Sequence, residues 1–522
     1  MAFDSGKASS ASHMEVESVP AAVGTQDADI HEYDEKEGYV VDVGKSDRND
    51  LKLAKDGHTI LVPQPSNDPR DPLNWSPLRK GLFLAILSAT ALLPEFCSAT
   101  GAAALFPQSI AWGITPDHVN HSQAGNVFML GPGSVAAVTL SSYFGRAPVL
   151  FWFLIMASVT AGWAAGAGSF ESFMAARILN GFFASVASGG GLMYINDLFF
   201  FHERARKINI LFAPLLFAPM AGPLFAFFEL TSQPWRVPFW ICFAMIGSCL
   251  MAVVLFLDET YYDRRIPIGE QPERKSRILR LIGTEQFRSR HLRNSFGGSL
   301  LRPLKVLAKP TTILSTLYNM LTFSWVVGIV NTLGIFLTPE YHFGLKQLGF
   351  FFFSPVVGTL AGAIVGHWLH DKVARRYIQR HDGHFEPEAR LTAIWMATPL
   401  LVVGLVLLGF ALEDKYHYMV VAVSWGLFSA GIMILTVALN AYNLDCYPEA
   451  SGEVSAWLIV GRTLGGFIIS YEQIPWAAKD GAKTTFTIQA ALCVVGMLLM
   501  IGVQHFGKRM RSWAGKLDFQ TI

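Results

Sequence analysis

Apolar residues gather along this chain in twelve long runs, at residues 82–106, 122–141, 148–168, 173–195, 208–229, 237–257, 312–337, 347–369, 391–412, 417–439, 453–471 and 485–505. A helix rises 1.5 Å per residue, so roughly 20 apolar residues cross the hydrocarbon core of a bilayer. Each run therefore predicts one membrane-spanning helix. Six precede and six follow a charged segment at 258–310. The pattern predicts an all-α membrane protein, with twelve transmembrane helices in two six-helix bundles. The expected divisions are a disordered tail over 1–78, a first bundle over 79–257, a connector over 258–310, a second bundle over 311–506 and a short tail over 507–522. The first 78 residues are polar and lack an apolar run behind a basic start, so they do not read as a signal peptide. The first span then serves as its own insertion signal.

Composition supports the same class. Of 522 residues, 52% are hydrophobic and only 16% charged, against about 25% in soluble proteins. The 39 Phe and 13 Trp suit lipid-facing surfaces and interfacial belts. A net charge of +1 supplies no global basic field for nucleic acid. Cys97, Cys242, Cys249, Cys446 and Cys493 are scattered, without the paired spacing of a zinc site or a disulfide framework, and read as small core residues.

Lys and Arg favour the cytoplasmic side of short loops. Arg79 and Lys80 precede the first span, Arg204, Arg206 and Lys207 follow the fourth, and Lys372, Arg375, Arg376 and Arg380 follow the eighth. The connector is rich in Arg, and Lys508, Arg509 and Arg511 follow the last span. The opposite loops hold few such residues: Arg236, Lys346, Lys415, Lys479 and Lys483. Both termini and the connector are thus expected in the cytoplasm. Asn120-His121-Ser122, a glycosylation sequon, falls in the first outer loop, which makes Asn120 a candidate acceptor.

Ionic groups inside lipid are costly and point to function. Glu95 lies fifteen residues beyond Lys80, deep in the first span, and is a candidate to bind a proton or a cationic part of a substrate. Arg177, near the outer end of the fourth span, cannot lose its proton and must snorkel, pair or meet water. Glu95 is one conceivable partner for it. Asn126, Tyr318, Asn319 and Asn331, with Trp325, Asn440, Tyr442 and Asn443, offer polar groups that would complete a cavity. The alternative for each is a packing hydrogen bond.

Catalysis finds no support. Ser188-Gly189-Gly190-Gly191 lies inside a span and lacks the Lys-Ser/Thr of a phosphate loop. His367 and His370 make no ligand set with other residues, so no metal and no cofactor is expected. Energy must come from an ion gradient or from the substrate's own gradient.

Several motifs resemble those of the major facilitator superfamily. Arg177 and Gly181 match its fourth-span Arg and Gly, and Gly222-Pro223 matches the Gly-Pro of the fifth span in proton-coupled antiporters. The loop after span 8 carries Asp371, Lys372, Arg375 and Arg376 of a Gly-x-x-x-Asp-Arg-x-Gly-Arg-Arg pattern, with Gly366 one place early and Ala374 for Gly. The copy after span 2 keeps only Gly145 and Arg146, with Ser142 and Tyr143 where an acid and a base are usual. Phe225 and Ala226 replace further glycines of the fifth-span motif. The stretches Asn67 to Ser76, Asp197 to Arg204 and Asp258 to Tyr262 are similar to fungal members of the drug:proton antiporter branch. The resemblance covers 67–506 and implies alternating access, with gating roles for Gly145, Arg146, Gly222, Pro223, Asp371, Lys372, Arg375 and Arg376.

The expectation is a monomeric secondary transporter of a fungal plasma membrane, or alternatively of a vacuolar membrane, exporting a small organic compound in exchange for protons. Two alternatives stand beside it: proton-coupled uptake of a nutrient such as a polyamine or organic acid, and a membrane sensor that moves no cargo.

Overall fold

The computed structural model describes residues 63–264, 266–290, 295–380 and 386–515, with the isolated positions 52, 61 and 517. Most of the expected tail over 1–78, and the end of the carboxyl tail, lie outside the described residues. Side chains at some helical positions, Asp371 and Arg375 among them, lie outside as well.

Twelve helices are long and apolar enough to cross a membrane. They are span 1 (Pro77–Trp112), span 2 (Pro116–Phe144), span 3 (Arg146–Gly166), span 4 (Phe170–Leu198), span 5 (Arg206–Glu229) and span 6 (Val237–Phe256), then span 7 (Pro310–Thr338), span 8 (Leu345–His370), span 9 (Pro387–Glu413), span 10 (Tyr418–Cys446), span 11 (Pro448–Asp480) and span 12 (Ala482–Ala514). Span 12 runs nine residues past the end of its apolar run at 505, because the polar stretch Phe506–Ala514 continues the helix.

Helix ends follow local chemistry. Ser76 caps span 1 by accepting from the Arg79 amide, and Pro77 takes the first turn, where no amide partner is needed. Thr115 and Pro116 do the same for span 2. Spans 2 and 3 meet at Gly145, whose φ of 99° is a conformation that side chains with a Cβ resist. Inside the bundle, the glycines of span 4 act as contact surfaces. A Cβ on Gly189 would collide with Ser134 of span 2, and one on Gly191 would come within 2.6 Å of Leu211 of span 5. The Gly-rich run is thus a packing surface in lipid, where small residues let backbones approach.

The two halves meet along spans 2 and 11 and along spans 5 and 8. On the side opposite the connector, the Asn120 amide donates to the Ser470 carbonyl at 2.9 Å, His121 Nδ1 lies 3.0 Å from the Tyr471 hydroxyl, and Phe228 packs edge-on against Phe350. On the connector side, the Asn196 amide donates to the Pro448 carbonyl at 3.0 Å, and a Cβ on Gly452 would touch Val138 and Met193. Contacts thus tie the two halves at both ends of the seam.

Before span 1 the chain forms a strap against the connector. Asp71, fully buried, accepts from the Ser66 and Leu73 amides and takes a two-pronged contact from Arg264 at 2.9 and 3.1 Å. Asp68 accepts from Arg70 and from the Tyr262 hydroxyl, and Asp258 binds both Arg79 and Arg280. The motif stretches Asn67 to Ser76 and Asp258 to Tyr262, far apart in sequence, therefore meet in one polar cluster completed by Arg79, Arg264 and Arg280. Burial alone pushes the Asp71 carboxyl up, but the Arg264 hydrogen bond and charge, with the two amides, outweigh it and hold the carboxyl below its ordinary value.

A carboxyl so depressed stabilises the folded strap above the ordinary Asp pKa, and that stabilisation is lost as pH falls through the lowered value. The strap should stay docked at pH 5 to 7 and release only in stronger acid, at a pH below about 3.9. Asp71→Asn should cost about 1–3 kcal/mol of local stability at neutral pH. Hydrogen exchange of the Leu73 amide in detergent checks both; equal protection at all pH values would contradict the Arg264 account.

Candidate functional site at the seam

Glu95 sits midway along span 1, immediately after Pro94, which breaks the hydrogen-bond ladder of that helix. Its carboxylate meets Arg462 of span 11 at 2.5 Å, with both side chains nearly fully buried. The contact joins residues 367 positions apart, one in each half. The Arg462 guanidinium also lies over the Phe323 ring of span 7, 4.6 Å from its centroid. Glycines bring span 11 close enough for this. A Cβ on Gly461 would come within 2.5 Å of the Thr316 carbonyl, and one on Gly466 within 2.8 Å of Val327 and 3.2 Å of Val127. From span 2, a Cβ on Gly131 would press on Thr463 at 2.7 Å. Span 11 is thus wedged between spans 2 and 7, with Arg462 facing span 1.

Arg177 does not pair with Glu95. Its guanidinium donates to the carbonyls of Cys97 at 2.6 Å and Ser98 at 2.9 Å, and to Gln123 Oε1 at 2.7 Å. Carbonyl dipoles and one amide satisfy it in place of a carboxylate, and the Phe239 ring lies 5.3 Å away. The two carbonyls belong to the turn that begins at Glu95. Arg177 therefore holds the backbone of the turn that carries Glu95. Asn126 donates to the Arg177 carbonyl at 2.5 Å, and Gly181 leaves room for that contact.

The other sequence candidates go elsewhere. Asn319 donates to the Leu458 carbonyl at 2.8 Å and Asn331 to Ser470 Oγ at 3.2 Å, so both bind span 7 to span 11. Tyr318 is fully buried against Gly496 of span 12. Asn440 and Asn443 return hydrogen bonds to their own helix. Asn120, the candidate glycosylation acceptor, lies within the span 2 helix, 8% exposed, and its amide nitrogen donates to the Ser470 carbonyl of the other half.

Gly222 of span 5 lies against span 1, where a Cβ would meet the Phe96 carbonyl at 2.5 Å and the Thr100 amide at 3.1 Å. With Pro223 it sets the span 1 to span 5 contact beside Glu95. Arg146, at the connector end, binds Asp197 at 2.5 Å, while Thr260 donates to the same carboxylate and the Arg146 amide donates to Glu259 at 3.1 Å. The acid missing at Ser142 is thus supplied by Asp197 and Glu259. This cluster joins spans of one half rather than the two halves. In the second copy of the motif, Lys372 and Arg376 are exposed, while the side chains of Asp371 and Arg375 fall outside the described residues. Near them, Arg390 binds Asp445 at 3.0 Å and Arg511 binds Glu388 at 2.6 Å.

Sequence reasoning missed Arg462 and Gln123. Arg462 was open to the rule that selected Arg177, a guanidinium inside an apolar run, since it lies within 453–471. Gln123 carries no charge to mark it.

Removing one partner of a buried ion pair strands the other, at a cost of about 3–5 kcal/mol. Arg462→Ala is expected to destabilise the folded protein by that order, and Glu95→Ala with Arg462→Ala by much less than the sum of the single changes. Thermal melting of the purified variants in detergent checks this; additive losses would show that the two groups do not interact.

The comparisons with known proteins match this architecture. The profile of the Major Facilitator Superfamily matches residues 82–470. The MFS-type transporter hepF of Aspergillus oryzae is 26% identical over 500 residues, covering 91% of this chain and 99% of its own. The efflux pump radE of Floropilus chiversii is 23% identical over 458 residues, covering 85% and 84%. Among solved structures, the human organic anion transporter MFSD10 superposes with a TM-score of 0.54 at 18% identity, covering 82% of this chain and all of that one. The proton:xylose symporter XylE gives 0.57 at 15% identity, covering 82% and 96%. With twelve spans in two halves and a matching profile over most of its length, this chain belongs to the major facilitator superfamily and is a membrane transporter, not an enzyme.

Proposed function

We propose that the protein exports a small organic compound across a fungal plasma membrane by proton-linked alternating access, with the Glu95–Arg462 pair as the lock between the halves. The carrying observation is that this ion pair crosses the seam at the depth where secondary transporters hold their cargo. Opening either face requires the halves to part, and parting strips each charge of its partner. A proton on Glu95 cancels the attraction, so protonation and opening favour one another. Cargo with a group that replaces either partner has the same effect. Arg177 holds the Glu95 turn in register throughout. Gly222 and Pro223 permit span 5 to pivot on that turn, and the Arg146 cluster keeps the connector end of the first half rigid.

Export is supported by the likeness to radE, an efflux pump. The connector and both ends of the chain are assigned to the cytoplasm on the distribution of basic residues. A second reading, uptake of an organic acid with a proton, is favoured by Arg462 itself, whose fork suits a carboxylate.

Glu95→Gln removes the titrating group and keeps its size. Cells carrying this variant in place of the native protein are expected to lose export by about 10-fold or more, and what remains should no longer vary with external pH. Metabolite profiling of the medium, paired with sensitivity to a toxin panel, measures this. Undiminished export with an unchanged pH profile would remove Glu95 from the coupling.

A further inference from the structure

The connector carries an apolar surface that the transport cycle leaves unexplained. Its last helix, Phe296–Leu307, has two faces. One docks on the protein: Arg302 binds Glu453 of span 11 at 2.6 Å and the Glu449 carbonyl at 3.2 Å, the Trp457 indole donates to the Pro303 carbonyl, and Phe296 packs edge-on against Tyr143 of span 2. The helix thus straddles the seam. The other face presents Leu300, Leu301 and Leu304, each 49–56% exposed, with the exposed Lys305 beside them.

A second segment repeats the arrangement. The helices Arg277–Ile282 and Thr284–Arg288 lie against the ends of spans 3 and 6, where Trp152 donates to the Ile282 carbonyl and Arg277 to the Leu257 carbonyl. A Cβ on Gly283 would touch Pro148. Ile278, Leu279, Ile282 and Phe287 are exposed, and Arg288 and Arg290 stand beside them. Next to this patch, Val254, Leu255 and Phe256 form the exposed, lipid-facing end of span 6.

We infer that these two faces are seated in the membrane leaflet on the connector side, with the apolar side chains below the headgroups and Arg288, Arg290 and Lys305 against anionic phospholipid. Chain continuity places them there. Leu307 is followed three residues later by Pro310, the first residue of span 7, so the Phe296–Leu307 helix cannot leave the bilayer boundary. An apolar face flanked by Lys and Arg at that level has the character of an interfacial helix. The exposed patch beside spans 3 and 6 is continuous with the surface that already faces lipid. Because the same helix is bonded to spans 2 and 11, the leaflet holds the connector end of the seam.

The test uses the full-length protein in proteoliposomes, with bimane attached at Leu304→Cys or, separately, at Ile278→Cys, and the unmodified chain as the labelling blank. Lipids brominated high on the acyl chain are expected to quench each label about twofold, aqueous iodide hardly at all. Raising the phosphatidylserine content should deepen the quench, and the combined R288Q/R290Q/K305Q variant should remove that dependence. Strong iodide quenching without a bromolipid effect would overturn the assignment, and indifference to phosphatidylserine would overturn its headgroup part. Where Leu304→Cys fails to fold, Leu301→Cys on the same face gives the same readout.

Discussion

A carboxylate and a guanidinium taken out of water in the middle of a lipid-embedded protein each need a partner, and leaving either one without it is costly. Glu95 and Arg462 meet that need across the boundary between the two halves, which part in the proposed transport cycle. Much of the surrounding architecture serves this contact. Pro94 loosens span 1 beside it, and Arg177 grips the carbonyls of the following turn. Gly131, Gly461 and Gly466 let span 11 come near enough to present Arg462.

The same logic distinguishes this pair from the other ionic clusters. Arg146–Asp197 and Arg390–Asp445 each join elements of a single half. They tie elements within a bundle and need not break in the proposed cycle. At the seam itself, the contacts given above between spans of opposite halves, apart from Glu95–Arg462, are hydrogen bonds such as Asn120 to Ser470, His121 to Tyr471 and Asn196 to Pro448, and contacts between aromatic rings and small residues. Such contacts exchange with water or lipid at modest cost, whereas a stranded buried charge does not. One strong interaction at the centre, ringed by weak ones at each end, suits a two-state device.

Hydropathy alone made the twelve spans legible, because lipid imposes one length and one composition on every crossing. Glu95 and Arg177 were legible as charges in the wrong solvent. Their partners were not, since the pairing of spans 1 and 11 is a long-range property that no local period encodes. Arg462 passed unnoticed although it obeys the rule that exposed Arg177. The seam contact of Asn120 was not legible either, because a sequon specifies three residues and says nothing of whether the amide is engaged elsewhere. The degraded motif after span 2 misled in another way: position 142 lacks an acid, but Asp197 and Glu259 bring carboxylates to Arg146 from distant segments.

Central to this account is that the charge state of Glu95 sets whether the halves stay together. Distances between spin labels on the two halves, measured by electron–electron double resonance on each side of the membrane as pH is lowered, report on that directly. The account predicts that acid shifts the native protein from the closed population toward an opened one, and that Glu95→Gln holds the opened population at every pH. Distance distributions that move identically with pH in the native protein and in the variant would contradict it.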